Sequence, residues 1–541
     1  MSQASFTPAR LVLCAGLAYV LFLGSLSVAQ HRGLRTQMHD LGNADQAIWD
    51  ASRGHLAMIQ TNTDDGRPRS RLGVHANLIF WLLALPYAFV HDPRLLLWLG
   101  TLACAAAGLG LYALSRHKLG DTWWATAPPL AFWASPMVHD ANLYDFHVVT
   151  LVAALLVWCV FAFETSRTRL AWVLLALALA CNEDVPLLAA LLGLWLALTG
   201  RRKLGAQVAV VSVVYWLLLV GAIVPALNQG RGIEKLEGHG NRYGWLGSGP
   251  FGIVAGLLKH PLLVAQHLLR PDKLRLPLYL LLSGGVAALF GGWRLLLPLA
   301  PQIAAGMLSD LPFNTRLTGT YYWIVSEAFI VLACLYAAEK KRWPLVYLAA
   351  VTAPLSLLLS PLPYGAGSSW SNYSTAPGAE LLETARAQIP PLASLCVQNN
   401  LGAHFSERPA VHAPPVFCLS AQYALLYLRN VGGPDSGLFV RSAPAYLMGT
   451  EQGEPPAPLV FAIVRALLLA PEWNLLVLQD GLYLFSRDAP RRVSVDAGVA
   501  AYNADLQRFQ ASVGDLARDR LPWARYLTQE WGWQGAAAAS R

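Results

Sequence analysis

Charged residues are scarce in this sequence. Asp, Glu, Lys and Arg make up 13% of the 541 residues, whereas hydrophobic residues make up 55%. A soluble domain normally carries about a quarter charged residues, so the composition argues against an ordinary soluble protein and predicts a polytopic membrane protein. The net charge of +8 does not indicate a nucleic-acid partner, because the basic residues form short clusters between apolar runs.

The cysteines lack the spacing of a metal or redox site. The sequence contains seven, with no Cys-x-x-Cys pair and no Cys/His ligand pattern, which argues against zinc and thiol chemistry. Five of them lie inside apolar runs. Cys396 and Cys418 lie in the polar C-terminal region, where they form either a disulfide outside the cytoplasm or two core thiols.

Several nucleotide-binding and hydrolytic motifs are also missing. The sequence has no internal repeat of fixed period, no dinucleotide glycine fingerprint, no phosphate-binding loop and no Gly-x-Ser-x-Gly elbow. Their absence argues against ATP-driven transport and against an α/β-hydrolase.

Long apolar runs are abundant. The first, residues 11–29, predicts an uncleaved membrane span, although its small residues at the end also fit a signal-peptidase site. Runs 76–90 and 251–269 are predicted to lie along the interface. The fold class is therefore predicted as mainly α, a polytopic transmembrane helix bundle of about 11 spans. The remaining ten runs are 94–115, 122–138, 148–163, 170–182, 185–199, 204–227, 275–290, 295–308, 321–338 and 343–362.

The basic clusters predict the orientation. With a cytoplasmic N-terminus and interfacial 76–90, the positive-inside rule is met at five places: Arg116–Lys118, Arg167–Arg169, Arg201–Lys203, Arg294 and Lys340–Arg342. The loops that carry acids and histidines then share the outer side of the cytoplasmic membrane.

The membrane-length apolar runs end near Tyr364, which predicts a domain boundary there. Residues 1–363 are expected to form the bundle, and residues 364–541 a small soluble α/β domain on the outer face. In this domain, residues 380–388 are predicted as a helix, and residues 394–398 and 423–428 as buried strands. Residues 474–478 and 482–486 flank Asp480-Gly481, the strongest hairpin signal in the chain.

The stretch Met38–Gly54 holds the first group of acids. Asp40 is expected to precede a helix over residues 41–53 that Gly54 closes. Asp40 is then either a simple N-cap or a functional carboxylate. Asp45 shares a helix face with Trp49, an arrangement suited to a sugar or lipid head group as well as to packing.

A second group follows the predicted span 122–138. Asp140, Asp145 and His147 provide carboxylates and an imidazole that suit a divalent metal, magnesium or manganese. The alternative is a hydrated loop with helix-capping aspartates.

A third group is Glu183 and Asp184, between two apolar runs with almost no loop. Acids at membrane level indicate function unless they are solvated turn residues. His75, which follows Leu72-Gly73-Val74, adds a base or ligand on the same predicted side.

These segments carry a family resemblance. The motifs are His39-Asp-Leu-Gly-Asn-Ala-Asp-Gln-Ala-Ile-Trp49, Leu72-Gly-Val-His75, Asp145-Phe-His147, Glu183-Asp184 and Gln398-Asn-Asn-Leu-Gly-Ala-His404 with Arg408. In this order they resemble the bacterial polytopic membrane family called domain of unknown function twenty seventy-nine. That family in turn resembles the GT-C superfamily of membrane glycosyltransferases, which use polyprenyl-phosphate sugars.

The GT-C likeness implies roles for the acids. Asp40 would match the catalytic aspartate of the first outer loop and Asp45 the second acid. Asp140 or Asp145 would match the acid of the second outer loop. The chain departs from the family at Tyr321-Tyr322, where a His-Tyr pair is usual, which puts the role of that histidine in doubt.

The implied function is sugar transfer from a lipid-linked donor to an unknown acceptor on the outer face. The residues expected to bind substrate are Trp49, His75, Asp145, His147, Glu183 and Asp184. Arg242, Arg270 or Arg316 would hold the donor phosphate. The expected partners are membrane lipid, the lipid-linked donor and the acceptor, with no nucleic acid. The alternatives are a transporter or flippase of a lipid-linked anion, and a non-catalytic scaffold that presents the C-terminal domain.

Overall fold

The computed structural model is mainly helical, with a small sheet in the C-terminal region, as predicted. It describes residues 7–63, 67–228, 242–366, 368, 370–376, 378–414, 420–430 and 457–513. The chain forms two compact units. Unit 1 comprises Met1–Val28, Ala51–Met58 and Arg69–Ser369, and unit 2 comprises Ala29–Asp50, Ile59–Pro68 and Trp370–Arg541.

Unit 1 is built from apolar helices rich in Leu and Ala, which are good helix formers. Two π-helical segments, Leu219–Ile223 and Leu281–Gly285, interrupt longer helices. The 3₁₀ segments are Trp123–Thr126, Trp293–Leu299 and Pro312–Thr315. The α-helices are Pro8–Arg32, which continues into unit 2, Arg71–Val74, Phe80–Tyr87, Arg94–Leu119, Ala127–Ala134, Pro136–Leu143, Val149–Glu164, Thr168–Leu179, Val185–Leu198, Arg202–Leu218, Val224–Leu227, Gly249–Lys259, Pro261–Leu268, Pro271–Leu280, Val286–Leu289, Ala300–Leu308, Ile324–Ala338 and Trp343–Leu359.

The prediction of about 11 spans is wrong for the residues described. Three helices are long and apolar enough to cross a membrane, Pro8–Arg32, Arg94–Leu119 and Arg202–Leu227. A fourth is added if Phe251–Lys259 and Pro261–Leu268, which are bent by 94°, count as one broken span. The other apolar helices have 10–17 residues. At 1.5 Å per residue they rise at most about 26 Å, less than the roughly 30 Å of a hydrocarbon core.

Ion pairs join several helix ends of unit 1. Lys118 Nζ lies 2.9 Å from Glu164 and 2.7 Å from Glu339, and Arg201 lies 3.8 Å from Glu164. These residues belong to clusters or helix ends that the charge pattern placed on one side. Helix ends that are far apart in the sequence therefore lie together at one end of unit 1. We call this end, which contains Lys118 and Arg201, the basic end.

Unit 2 contains a five-stranded mixed sheet. Numbering all strands in chain order, β1 is Ile59–Gln60 and β2 is Arg69–Ser70, both outside this sheet. The order in the sheet is β4-β3-β5-β7-β6, with β3–β4 and β3–β5 parallel, and β5–β7 and β6–β7 antiparallel. Its strands are β3 Leu395–Val397, β4 Val411–His412, β5 Tyr423–Tyr427, β6 Asn474–Gln479 and β7 Leu482–Ser486.

The predicted strands, helix and hairpin of the C-terminal region are confirmed. Leu381–Arg386 is helical, and β3 and β5 lie within the predicted ranges. Asp480 and Gly481 both have positive φ, 48° and 85°, as a two-residue hairpin turn requires. Cys396 is disulfide-bonded, whereas Cys418 lies outside the described residues.

Both faces of the sheet are buried, because alternate residues of each strand enter different cores. Leu425 and Leu484 belong to one core, which also contains Leu34 and Met38 from the first polar segment. The opposite core is covered by the helices Ala457–Leu469 and Val495–Val513. Residues near 34–38 are thus part of the hydrophobic core of unit 2. The predicted domain boundary at residues 363 and 364 stays a prediction.

Candidate functional site

The acidic stretch after the first helix begins with a π-helical turn. This turn, Met38–Gly42, runs directly into the α-helix Asn43–Ser52. Asp40 lies inside the turn and Gln37 occupies the cap position, so the prediction of Asp40 as N-cap is wrong. Gly54, with φ of 91°, ends the segment as expected. Short π-helical turns are rare and frequently occur at functional sites.

Hydrogen bonds to distant residues of unit 2 hold this turn. The amide of His39 donates to Asn399 Oδ1 at 3.2 Å, and Asn43 Nδ2 donates to the carbonyl of His39 at 3.0 Å. Asn62 Nδ2 lies 3.2 Å from His39 Nδ1. The residue next to Asp40 is therefore fixed at its backbone and at its ring, and Asp40 itself is half-buried.

Close backbone packing adds to this fixation. A Cβ added to Gly402 would lie 2.4 Å from Met38 Cβ, far inside van der Waals contact. The short helix Asn399–Gly402 can approach the π-helical turn this closely because position 402 has no side chain. The motif around Asp40 and the motif 398–404 thus form one packed assembly within unit 2.

Asp45 is buried and hydrogen-bonded to a distant serine. Its side chain is fully buried and accepts a hydrogen bond of 2.6 Å from Ser406 Oγ. A short bond to a buried carboxylate is among the stronger hydrogen bonds in proteins. Asp45 therefore anchors the helix Asn43–Ser52 to the segment around residue 406.

The next residues of this helix bind other parts of unit 2. Gln46 Nε2 donates to the carbonyl of Arg408 at 2.9 Å, and Gln46 Oε1 accepts from the amide of Thr61 at 2.9 Å. Asp50 accepts from the amide of Ile59 at 2.8 Å. Trp49 is buried, with 8% of its surface exposed. Asp45 and Asp50 thus hold the chain in place, while Asp40 lies inside the π-helical turn.

Unit 1 contains a histidine–carboxylate pair. His75 Nδ1 lies 3.1 Å from Glu183 Oε1, and Glu183 Oε2 accepts from the amide of Ala76 at 3.1 Å. Both carboxylate oxygens of Glu183 are engaged, so its orientation is fixed. A carboxylate on Nδ1 sets the tautomer and raises the basicity of an imidazole. His75 and Glu183 thus contact each other, whereas Asp184 is exposed at the start of the next helix.

An aromatic cluster joins two further predicted segments of unit 1. The rings of His147 and Tyr321 stack at 3.4 Å between centroids and 15° between planes. Tyr144 lies 5.3 Å from Tyr321, and Tyr321 lies 4.5 Å from Tyr322. Asp145, between Tyr144 and His147, has φ of 59°, a left-handed conformation that Asp tolerates better than most residues.

A partly buried guanidinium extends this cluster. Arg242 Nη1 lies 3.4 Å from Tyr322 Oη and 3.4 Å from Asn314 Oδ1. Arg316, by contrast, is exposed, and its carbonyl accepts from Trp323 Nε1 at 3.0 Å. Of the two basic residues assigned to phosphate binding in this region, Arg242 is the one that contacts the aromatic cluster.

The predicted metal set is not assembled. The residues described contain no group of three His, Cys, Asp or Glu side chains that could hold a metal ion. Asp140 is buried in the helix Pro136–Leu143, whereas Asp145 and His147 follow that helix and are half-exposed. His139, in the same helix, binds Ser360 Oγ and the carbonyl of Trp133. The assignment of Asp140, Asp145 and His147 to a metal centre therefore stays a prediction.

The histidine–carboxylate pair and the aromatic cluster lie at the same end of unit 1. His147 precedes a helix that ends at Glu164, and Tyr321 precedes a helix that ends next to Glu339. Glu183 follows a helix that begins after Arg167. Each group is thus one helix length away from the basic end.

Some contacts could not be anticipated. Ser406 and Asn399 are single polar residues in a polar region, and their partners Asp45 and His39 lie about 360 positions away, with separations of 361 and 360. The stacking of His147 on Tyr321 had no signal either, beyond the chemistry of the two segments.

Comparison with known families adds one finding. The model of the family described as "Predicted membrane protein (DUF2079)" matches residues 30–425, which is most of the chain and confirms the resemblance of the motifs. No curated protein matches the chain.

Proposed function

The chain belongs to the family of predicted membrane proteins DUF2079, and from this premise we propose that it is a membrane glycosyltransferase. It transfers a sugar from a polyprenyl-phosphate donor to an acceptor hydroxyl. Asp40 takes the proton of that hydroxyl while the hydroxyl oxygen attacks the anomeric carbon. The bond from that carbon to the phosphate oxygen breaks, and polyprenyl phosphate leaves.

The observation that carries the proposal is the position of Asp40. It lies half-buried in a π-helical turn whose neighbouring residue, His39, is fixed by Asn399 and Asn43. A general base must be held within hydrogen-bond reach of the proton it abstracts, and a rigid turn provides this. Asp45, which the GT-C likeness made a second catalytic acid, supports the proposal as a positioning residue, since it fastens the following helix.

Unit 1 provides separate support. Aromatic rings beside a guanidinium, as at Tyr321, Tyr322 and Arg242, suit the apolar face of a sugar and the charge of a phosphate. The disulfide at Cys396 supports the placement of the C-terminal region outside the cytoplasm, because disulfides persist in oxidising compartments.

The test measures release of polyprenyl phosphate from a panel of polyprenyl-phosphate hexoses and pentoses by the purified full-length chain. Asp40→Asn should reduce turnover by about 10²–10⁴-fold, the usual contribution of a general base. Asp121→Asn is the control, because Asp121 is an exposed acid that pairs with Arg116. Turnover of Asp40→Asn at the wild-type rate would refute the role of Asp40.

A transporter of a lipid-linked anion is the second candidate. The helix pair Phe251–Lys259 and Pro261–Leu268, bent by 94°, favours it, because discontinuous helices form the binding sites of many transporters. In vesicles, a transporter moves the labelled lipid across the bilayer and leaves it chemically intact, whereas the transferase converts it to polyprenyl phosphate.

A further inference from the structure

A pocket lies against the bent helix pair of unit 1. It has a volume of about 360 Å³ and is lined by Trp245, Leu263, Gln266, His267, Arg270 and Asp310. It does not include the histidine–carboxylate pair or the aromatic cluster. Arg270, one of the three residues expected to hold a donor phosphate, thus lines a pocket that contains neither that pair nor that cluster.

The walls of the pocket are fixed by packing and hydrogen bonds. Trp245 stacks on His267 at 4.3 Å and 15°, and its Nε1 donates to the carbonyl of Leu308 at 3.0 Å. The amide of Asp310 donates to the carbonyl of Arg242 at 2.8 Å. A wall held on both sides in this way is preformed, which lowers the entropic cost of binding.

A buried ammonium group lies next to this pocket. Lys273 is fully buried, and its Nζ donates to the carbonyl of Ser309, beside Asp310, at 2.6 Å. Among the described residues, no carboxylate oxygen lies within 4.0 Å of Lys273 Nζ, the distance that defines an ion pair. A buried charge of this kind is costly unless an opposite charge compensates it. Asp272 and Asp310 attract the charge of Lys273 from beyond ion-pair distance, whereas Arg270 and His267 oppose it. An anion in the pocket would add to the partial compensation that the two carboxylates provide.

Arg270 provides the second positive charge. Its Nε and one Nη2 hydrogen bind Asp272 at 3.1 and 3.2 Å. Three of the five guanidinium hydrogens remain for a ligand. Arg270 lines the pocket directly, and guanidinium groups bind phosphate oxygens in a bidentate manner. A cationic ligand would meet repulsion from both Arg270 and Lys273.

The bent helix pair and the residue that follows it carry exposed leucines next in sequence to residues of the pocket lining or on the same helix pair. Leu262 is 79% exposed, Leu269 is 67% exposed and Leu258 is 78% exposed. Exposed leucines on consecutive helical segments are typical of helices that lie in the membrane interface. A phosphate bound at Arg270 would therefore have hydrocarbon chains beside it.

We propose that this pocket binds the phosphate head group of an anionic membrane lipid. Arg270 contacts the phosphate, and Lys273 neutralises it from beneath. The acyl chains lie along Leu262 and Leu269. The ligand is a lipid and not free phosphate, because the exposed leucines gain only from a ligand with hydrocarbon.

The test uses the purified full-length chain in neutral detergent. Its melting temperature is measured against increasing phosphatidic acid, phosphatidylcholine or inorganic phosphate. Phosphatidic acid should raise the melting temperature of the wild type, and the other two should not. Lys273→Met and Arg270→Gln should each raise the half-saturating concentration of phosphatidic acid at least tenfold. Arg275→Gln, an exposed basic residue on the same helix, should leave it unchanged.

Lys273→Met also separates binding from folding. Without lipid, it should melt no lower than the wild type, because a buried charge without an ion pair has been removed. Arg270→Gln removes a half-exposed side chain and tests the site without touching the core. Equal half-saturation in the wild type and in Arg270→Gln would overturn the assignment. If inorganic phosphate alone produced the full rise in melting temperature, the assignment of a lipid as the ligand would be wrong.

Discussion

Ser406→Ala tests how the acidic stretch is held. Ser406 Oγ donates to Asp45 Oδ2 at 2.6 Å, and Asp45 is fully buried. Because a hydrogen bond to a charged group contributes about 1.5–3 kcal/mol, and its loss weakens the solvation of a buried carboxylate, we expect unit 2 to lose this amount of stability.

The loss converts to a measurable shift in melting temperature. For a domain of 150–250 residues, 1 kcal/mol corresponds to about 2–4 °C, so Ser406→Ala should lower Tm by roughly 3–12 °C. The assay is tryptophan fluorescence of the detergent-solubilised chain during heating. Ser248→Ala is the control, because Ser248 is exposed and its side chain caps no helix.

Two results would refute this reasoning. A Tm of Ser406→Ala equal to that of Ser248→Ala would mean that the bond to Asp45 contributes nothing. A normal Tm together with a loss of turnover as large as that of Asp40→Asn would mean that Ser406 and Asp45 take part in chemistry. In that case Asp45 would return to the role that the GT-C likeness implies.

Three further predictions concern the same two units. Gly402→Ala should destabilise unit 2 by about 1–3 kcal/mol, the usual cost of overpacking, because the new Cβ would lie 2.4 Å from Met38 Cβ; a Tm equal to the wild type would disprove the close approach. Burial lowers the pKa of His412 to about 4, below the unfolded value of about 6.5. The unfolded state then binds more protons between these values, so stability should fall by about 3 kcal/mol as pH drops from about 6.5 to 4, and His412→Asn should flatten this dependence in urea titrations. Glu183→Gln should lower Tm, because His75 Nδ1 and the amide of Ala76 lose a charged partner and a hydrogen bond to a charged group contributes about 1.5–3 kcal/mol; a Tm equal to the wild type would show that these contacts contribute nothing.

Local chemistry made parts of the fold predictable. Asp480-Gly481 specifies its hairpin because both residues adopt positive φ, as observed. The apolar runs at residues 395 and 423 became strands of the predicted position. The motif around Asp40 and the motif at 398–404 carried the family resemblance that the match over residues 30–425 confirms.

The errors arose where three-dimensional packing overrides the local pattern. The run 122–138 looked like one span, yet Pro136 starts a new helix after Ala127–Ala134, since proline cannot donate the hydrogen bond of a continuing helix. The helix expected after Asp40 begins earlier, as a π-helical turn. Contacts from Asn399, far along the chain, hold that turn.

The burial of Asp45 shows the same limit for function. Asp40, Asp45 and Asp50 are equivalent in sequence as acids on one polar segment. Their roles separate only when Ser406 and the amide of Ile59 are known to bind two of them. Family likeness singled out Asp40, and the geometry of unit 2 is compatible with that choice.

The most direct test of the central claim compares the turnover of the wild type, Asp40→Asn and Asp40→Glu on polyprenyl-phosphate sugars, with Tm recorded for each protein. The proposal predicts that Asp40→Asn keeps its Tm and loses about 10²–10⁴-fold in turnover, and that Asp40→Glu, which retains a carboxylate, recovers part of it. Wild-type turnover in Asp40→Asn at unchanged Tm would contradict the assignment of Asp40 as the base.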